Sequence, residues 1–407
     1  MDKIRIWLIA KYQIIISSIA FIPAFISLGF LILAALVFLV DFSDFGQQLK
    51  SDIPWLTIKD PSTARSVLGA IAGGIISLTV FSFSMVMIVL SQAASQMSNR
   101  VLDKLIGNRF QQTVLGIYIG TIVYTFFLFT TIRETEDAFQ IPSISIFLLT
   151  IITVLDIFIF IYFLHYITQS VKYNVIIDRI KSSTFDGMKD FCTSTEEVKE
   201  ASDFAALSMI RASRSGIFEG FDDKEMLDFL SKNKCSMLAI YPMGTFILRG
   251  QPVLKCSRNL DEVQITNALQ GINLSNQEFV NRNYEYGFRQ LSEIALKALS
   301  PGINDPGTAI LSLRALADLL GFRALHFPPT TLSKDDLPYK IYRKELTFDE
   351  LFIGAIYPIW DYGKEDRMLN QEFKLLLGQL SLVIASPPIM KLLSEVHKKI
   401  ADDFSEG

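Results

Sequence analysis

The sequence predicts a mainly α fold: a four-span helical transmembrane bundle followed by an α+β domain with a short β hairpin. Three observations carry this. Four apolar runs, at residues 14–40, 67–90, 113–132 and 144–166, reach the roughly 20 residues that a hydrocarbon core requires. Half of the 407 residues are hydrophobic while 20% are charged, and the charges become frequent only after Tyr166. The remaining chain mixes amphipathic helical spacing with short extended runs. These observations divide the chain into a transmembrane domain over 1–169 and a second domain over 170–407.

The first run contains Pro23 and lacks a clear small-residue cleavage site before Asp41, so it reads as an uncleaved anchor rather than a signal peptide. Lys and Arg in the short flanks set the expected orientation. Lys3, Arg5 and Lys11 precede the first run, Arg100, Lys104 and Arg109 lie between the second and third, and Lys172, Arg179 and Lys181 follow the fourth. The loop at 133–143 holds one Arg beside Glu134, Glu136 and Asp137. Both termini are therefore expected in the cytoplasm, and an even number of spans agrees.

The second run carries the densest pattern. Small residues recur at every seventh position (Thr63, Ala70, Ser77, Ser84, Ser91 and Ser98), joined by Gly73, Gly74, Ser95 and Asn99 on one helical face. One continuous helix over 63–107 is expected, leaving the membrane and turning polar. Such a stripe fits either helix packing or a water-lined path, with Ser77, Ser84, Ser91, Ser95 and Ser98 as its candidate residues. Gly69 with Gly73, and Gly116 with Gly120, form small-xxx-small pairs that let helix backbones approach. They fit packing of the second span on the third, or a subunit interface. Asp156 lies mid-span, where an ionised carboxylate costs at least ~2.5 kcal/mol. It is expected to face the bundle, to be protonated or to meet water, with Ser77, Thr79 or Ser82 as candidate partners, either as an ion or proton site or as a buried hydrogen-bonded carboxyl. His165 and Tyr166 fit an interfacial role.

Past the spans, residues 171–191, 202–213, 222–232, 260–271 and 284–300 have helical spacing, the first reading as a continuation of the fourth span. Residues 235–256 read as two strands around a turn. In the loop Ser300, Pro301, Gly302, Asn304, Asp305 and Pro306, Asp305 is placed to cap a helix that Pro306 opens. That helix N-terminus is also a candidate anion site, with Arg282, Arg289 or Arg314 near. Cys192, Cys235 and Cys256, an odd and widely spaced set without neighbouring His, indicate reduced structural thiols rather than a disulfide framework or zinc site.

The strings ALSPGINDPGTA, YEYGFRQLSEIAL, YPMGTFILRGQPVL and VLSQAASQMSNRVL resemble a bacterial family of predicted membrane proteins catalogued as domain of unknown function 2254. YFLHYITQSV and LTFDELFIGAI extend the resemblance over nearly the whole chain. It implies several N-terminal spans, a cytoplasmic domain and residence in the bacterial inner membrane, and it supplies no activity or cofactor. Where relatives are expected to carry a Gln-Asp pair before Tyr286, this chain has Arg282 and Asn283, which speaks against an acidic catalytic role there.

No P-loop, dinucleotide glycine fingerprint, HExxH, GxSxG, basic tract or nucleic-acid motif is present, and His165, His326 and His397 are the only histidines. No catalytic residue, cofactor, metal or nucleic-acid partner is therefore expected. The favoured function is a homo-oligomeric channel or transport-like protein for an ion or small solute, regulated by its cytoplasmic domain. A membrane-anchored sensor or scaffold is the alternative, and an enzyme using the loop at 300–307 is the third.

Overall fold

The computed structural model describes residues 20–96, 109–135, 138–170, 172–194, 204–276, 283–334 and 337–405. Among these, helices dominate and the strands are short. The chain forms two compact units, one of residues 1–95 with 101–172 and one of 96–100 with 173–407.

Among the described residues the first unit holds four helices long and apolar enough to cross a membrane: α1 (Phe21–Asp41), α3 (Pro61–Gln96), α4 (Arg109–Thr131) and α5 (Ser143–Ser170). A short α2 (Asp44–Asp52) follows the first span, and a two-stranded ribbon, β1 (Arg133–Thr135) with β2 (Ala138–Gln140), precedes the fourth. The expected start of the first span, and the end of the long helix beyond Gln96, lie outside the described residues. Buried residues make up 44% of the apolar window of α4 against 11% in α1 and α3, so α4 is the centre of the bundle.

Backbone proximity explains this. A Cβ on Gly116 would stand 3.0 Å from Pro23 Cα, and one on Gly120 would stand 2.6 Å from Phe30 Cγ. The small-xxx-small pair of the third span thus receives the first span, not the second as its spacing suggested. Gly69 meets only Phe129, at 3.8 Å, and Gly73 has no neighbour within 4 Å. The helix α3 packs instead through Ala64, Leu68, Ile71, Ile75 and Leu78, a side of larger residues at helical spacing.

One end of the bundle is fastened by Asp41, which is fully buried. Its carboxylate accepts hydrogen bonds from the Ile144 and Ser145 amides at 3.1 and 2.7 Å and from Ser145 Oγ at 2.6 Å. Lys50 Nζ lies 2.7 Å away and also donates to the Asp41 carbonyl. The last residue of the first span therefore satisfies the free N–H groups that open the fourth.

In the second unit, helices α6 (Tyr173–Phe191), α9 (Glu285–Ala298), α10 (Pro306–Arg323), α11 (Phe348–Gly363), α12 (Arg367–Val383) and α13 (Pro387–Ser405) accompany two small sheets. In the five-stranded sheet the order is β3 (Ser208–Arg211), β7 (Pro252–Cys256), β5 (Met237–Ala239), β10 (Ile341–Tyr342), β9 (Thr331–Leu332). The other places β4 (Gly216–Phe221) between β6 (Phe246–Ile247) and β8 (Ile272–Ser275). Two more helices, α7 (Asp223–Asn233) and α8 (Glu262–Gln270), cover the sheets. Within the helical part α10 packs on α6, α9, α11 and α12. The approach of α9 to α6 is close enough that a Cβ on Gly287 would collide with Thr184.

Three expectations are corrected here. The helical spacing over 202–213 yields no helix among residues 204–213; Ser208–Arg211 is a strand, because pairing with β7 outweighs a weak local helical preference. The segment 235–256 forms three strands rather than two, with β5 paired to β7 and β6 diverted to β4. The fourth span and α6 are separate helices, ending at Ser170 and starting at Tyr173.

Replacing Asp41 by Asn removes the charge that matches Lys50 and weakens the cap of the fourth span. The expected loss is roughly 2–3 kcal/mol, read as a lower unfolding temperature of detergent-purified protein. An unchanged midpoint would show that the contact contributes nothing.

Candidate functional site

Asp156 sits on α5 with no exposed surface, and neither carboxylate oxygen has a hydrogen-bond partner. Thr121 of α4 lies beside it, and Tyr118, one turn earlier on α4, is close enough to feel its charge. Ser82 of α3 is adjacent to the Tyr118 hydroxyl, yet Tyr118 Oη and Ser82 Oγ are also without partners. Thr121 donates to its own backbone at Ile117 O, 3.1 Å away. Four oxygens, Asp156 Oδ1 and Oδ2, Tyr118 Oη and Ser82 Oγ, are therefore buried and unpaired within three packed spans. Of the expected partners only Ser82 belongs to this group. Ser77 and Thr79 return their hydroxyls to Gly73 O and Ile75 O.

The small-residue stripe lies on the other side of α3. Ala70, Gly73, Gly74, Ser77, Ser84 and Ser91 are all exposed. Ser84 follows Ile75 by nine residues, which at 100° per residue places it half a turn from the packed face. Among the described residues of one copy, the stripe from Ala70 to Ser91 is exposed and faces away from the side of α3 that packs on the other spans. Ser98 lies outside the described residues, and Ser95 is described only as part of the helix.

The loop between α9 and α10 is a helix connection. Asn304 adopts a left-handed backbone, φ 49°, and its N–H returns to Ser300 O at 2.9 Å. Asp305 accepts from Thr308 N at 3.1 Å and Thr308 Oγ1 at 2.6 Å, and Pro306 opens the helix. Ser300 Oγ donates to Lys297 O, while Pro301 and Gly302 are exposed. Both Asp305 oxygens thus serve the cap, and a capping carboxylate opposes an anion at this terminus.

A second polar group was not read from the sequence. Arg323, 1% exposed, closes α10 and donates to His326 O and Leu346 O at 3.3 and 3.0 Å. Around it stand Glu285, Glu345, Tyr284 and Cys192. Part of each Glu side chain reaches the surface, but protein atoms crowd both carboxyl groups. Burial, with the Glu345 charge added, pushes Glu285 up to about 8 against the opposing pull of Asn283, Arg323 and Arg289. Burial likewise pushes Glu345 up to about 7 although Arg343 and Arg323 oppose it. Desolvation therefore outweighs ion pairing at both groups. Beside Glu345 a cavity of about 160 Å³ is lined by Phe191, Phe218, Glu219, Asp223 and Arg343. Tyr286 donates to the buried Glu219 at 2.7 Å, tying α9 to β4. Cys235 and Cys256, distant in sequence, are neighbours whose mutual hydrogen bond holds the Cys235 proton well above the usual thiol range. Among the described residues no group of His, Cys, Asp and Glu is placed to hold a metal.

Four long apolar helices followed by a helical unit with small sheets define a multi-span membrane protein. A family model described as Predicted membrane protein (DUF2254) matches residues 16–377, and the chain belongs to that family. An uncharacterized protein of Mycobacterium tuberculosis (strain CDC 1551 / Oshkosh) is 27% identical over 282 residues, covering 65% of this chain and 54% of that protein. An uncharacterized protein of Mycobacterium bovis (strain ATCC BAA-935 / AF2122/97) is similar to the same extent. The chain spans about half the length of the curated relatives it matches. No solved structure matches it.

Two outcomes test these assignments. Asp305→Ala is expected to cost about 1 kcal/mol, the usual value of an N-cap, in thermal or denaturant unfolding. Glu285 and Glu345 bind protons more tightly folded than unfolded, where a carboxyl titrates near 4.5. Their contribution to stability is thus complete below about pH 4.5 and is lost as pH rises to about 8, at up to ~1.4 kcal/mol per pH unit for each linked proton. Glu285→Gln should flatten this fall in unfolding midpoints between pH 5 and 8.

Proposed function

We propose that this chain is a homo-oligomeric, transport-like protein of the bacterial inner membrane. In this reading both termini are cytoplasmic and the second unit regulates the first. The small-residue faces of the second spans meet around a shared axis. The observation that carries this reading is the exposure of Ala70, Gly73, Ser77, Ser84 and Ser91 opposite the packed side of α3. Lipid offers no reason to exclude large side chains from one stripe of a span, whereas close helix approach and a hydrated path both do. Bulky residues such as Ile76, Phe83 and Met87 occupy exposed positions off the column of Ala70, Ser77, Ser84 and Ser91, while Phe81 and Ile88 border it in the column of Gly74 and Ser95. A sensor or scaffold reading draws on the cavity beside Glu345 instead.

Cysteine placed at Ser77, Ser84 or Ser91 tests the assembly. The three native cysteines are buried, so oxidation is expected to cross-link copies through the new thiol, and none should link through Cys at Leu68. In liposomes the unaltered protein should release a trapped ion or small solute, and Ser84→Leu should cut the rate at least tenfold with assembly intact. A monomer that never cross-links, or vesicles that stay sealed under every ion and tension tried, would refute the proposal.

A further inference from the structure

We propose that Asp156, Thr121, Tyr118 and Ser82 form a binding site for one alkali cation, Na+ or K+, inside each copy of the membrane unit. This deepens the transport reading by naming a solute class, yet the site lies within a single chain and is measurable whether or not the copies assemble.

Four unpaired oxygens from three spans are gathered in the part of the molecule least able to leave them unpaired. Asp156 and Tyr118 have no exposed surface, and Ser82 is 4% exposed. Thr121 stands within side-chain reach of Asp156 and Ser82 within reach of Tyr118, but neither contact has the alignment of a full hydrogen bond, and the four oxygens stay without a well-formed one. A proton on Asp156 supplies a single donor, which pairs at most one of the other oxygens. A cation engages the lone pairs of all of them at once. The hydroxyl hydrogens remain free to turn to backbone carbonyls, as those of Ser77 and Thr79 do.

Charge and ligand type narrow the occupant. The carboxylate has no ion-pair partner among the described residues, and the nearest basic residues on these spans, Arg65, Arg109 and His165, belong to their ends. One negative charge in a medium of low dielectric constant is matched by one positive charge; a divalent ion would leave the site as costly as before. Only oxygens are offered, with neither imidazole nor thiolate, which selects a hard ion over a transition metal.

The test is a cation titration of the purified full-length protein in choline chloride at constant ionic strength and pH 7.5, read by thermal unfolding. A ligand that binds only the folded form raises the midpoint as its concentration passes the dissociation constant. Na+ or K+ is expected to raise it saturably and choline to leave it unchanged. In Asp156→Asn the shift should vanish. Tyr118→Phe, which keeps the ring and loses one oxygen, should weaken apparent affinity about tenfold, and it serves alone if Asp156→Asn does not fold. Binding of radioactive Na+ or Rb+ should show one site per chain, lost in the same variants. Midpoints insensitive to both ions, or an equal shift in the variants, would overturn the proposal. So would a dependence of the midpoint on pH that involves Asp156 but no alkali ion. None of these results depends on cross-linking, which reports on assembly alone.

Discussion

The arrangement of the first unit depends on how a buried carboxylate is matched. Hydrocarbon offers no water to a polar group, so each one must be answered from within the protein. Asp41 is answered completely. Two amides, one hydroxyl and one ammonium group converge on it, and the chain must place the end of α1, the body of α2 and the start of α5 together to bring them there. Tyr124 extends the junction to α4 by donating to Ser145 O, and Ser143 Oγ accepts from the Ile58 amide. Gly116 and Gly120 act with this junction. They bring α1 against α4 over the length that Asp41 fixes at one end.

Asp156 is the counterpart, equally buried, with Thr121 beside it and neither carboxylate oxygen in a well-formed hydrogen bond. The same physical rule yields a structural element in one place and a site with unused bonding capacity in the other. The second unit gives a third solution. Glu285 and Glu345 stand near Arg323 and Arg343, but cations at that range do not repay the loss of water, and both carboxyls hold their protons into the neutral range.

The spans were legible because length and hydropathy are properties of a contiguous run. The capped start of α10 was legible for the same local reason, as Asp305 and Pro306 are adjacent. What escaped depends on partners remote in the chain. Ser208–Arg211 is a strand only because residues 252–256 lie beside it. Asp41 reads as an ordinary boundary residue until Ser145, far along the sequence, supplies its bonds. Glu285 and Glu345 carry no motif, and nothing local announces that they share one arginine. The seven-residue spacing of the stripe identified a face but not its direction, since periodicity says which residues align and not which neighbour they meet. Asp156 was legible as an anomaly, and its companion Tyr118 was not, because a tyrosine in an apolar run attracts no notice.

The ribbon of residues 237–256 crosses from one sheet to the other and back. Its two ends, β5 and β7, are paired together in the five-stranded sheet, while β6 between them is paired to β4 in the three-stranded one. Peeling either sheet open pulls on the strand held by the other. The two small sheets, each with few hydrogen bonds of its own, are thus joined into a single cooperative element. Their amides should exchange with solvent at one common rate, like threads of one stitch rather than two seams.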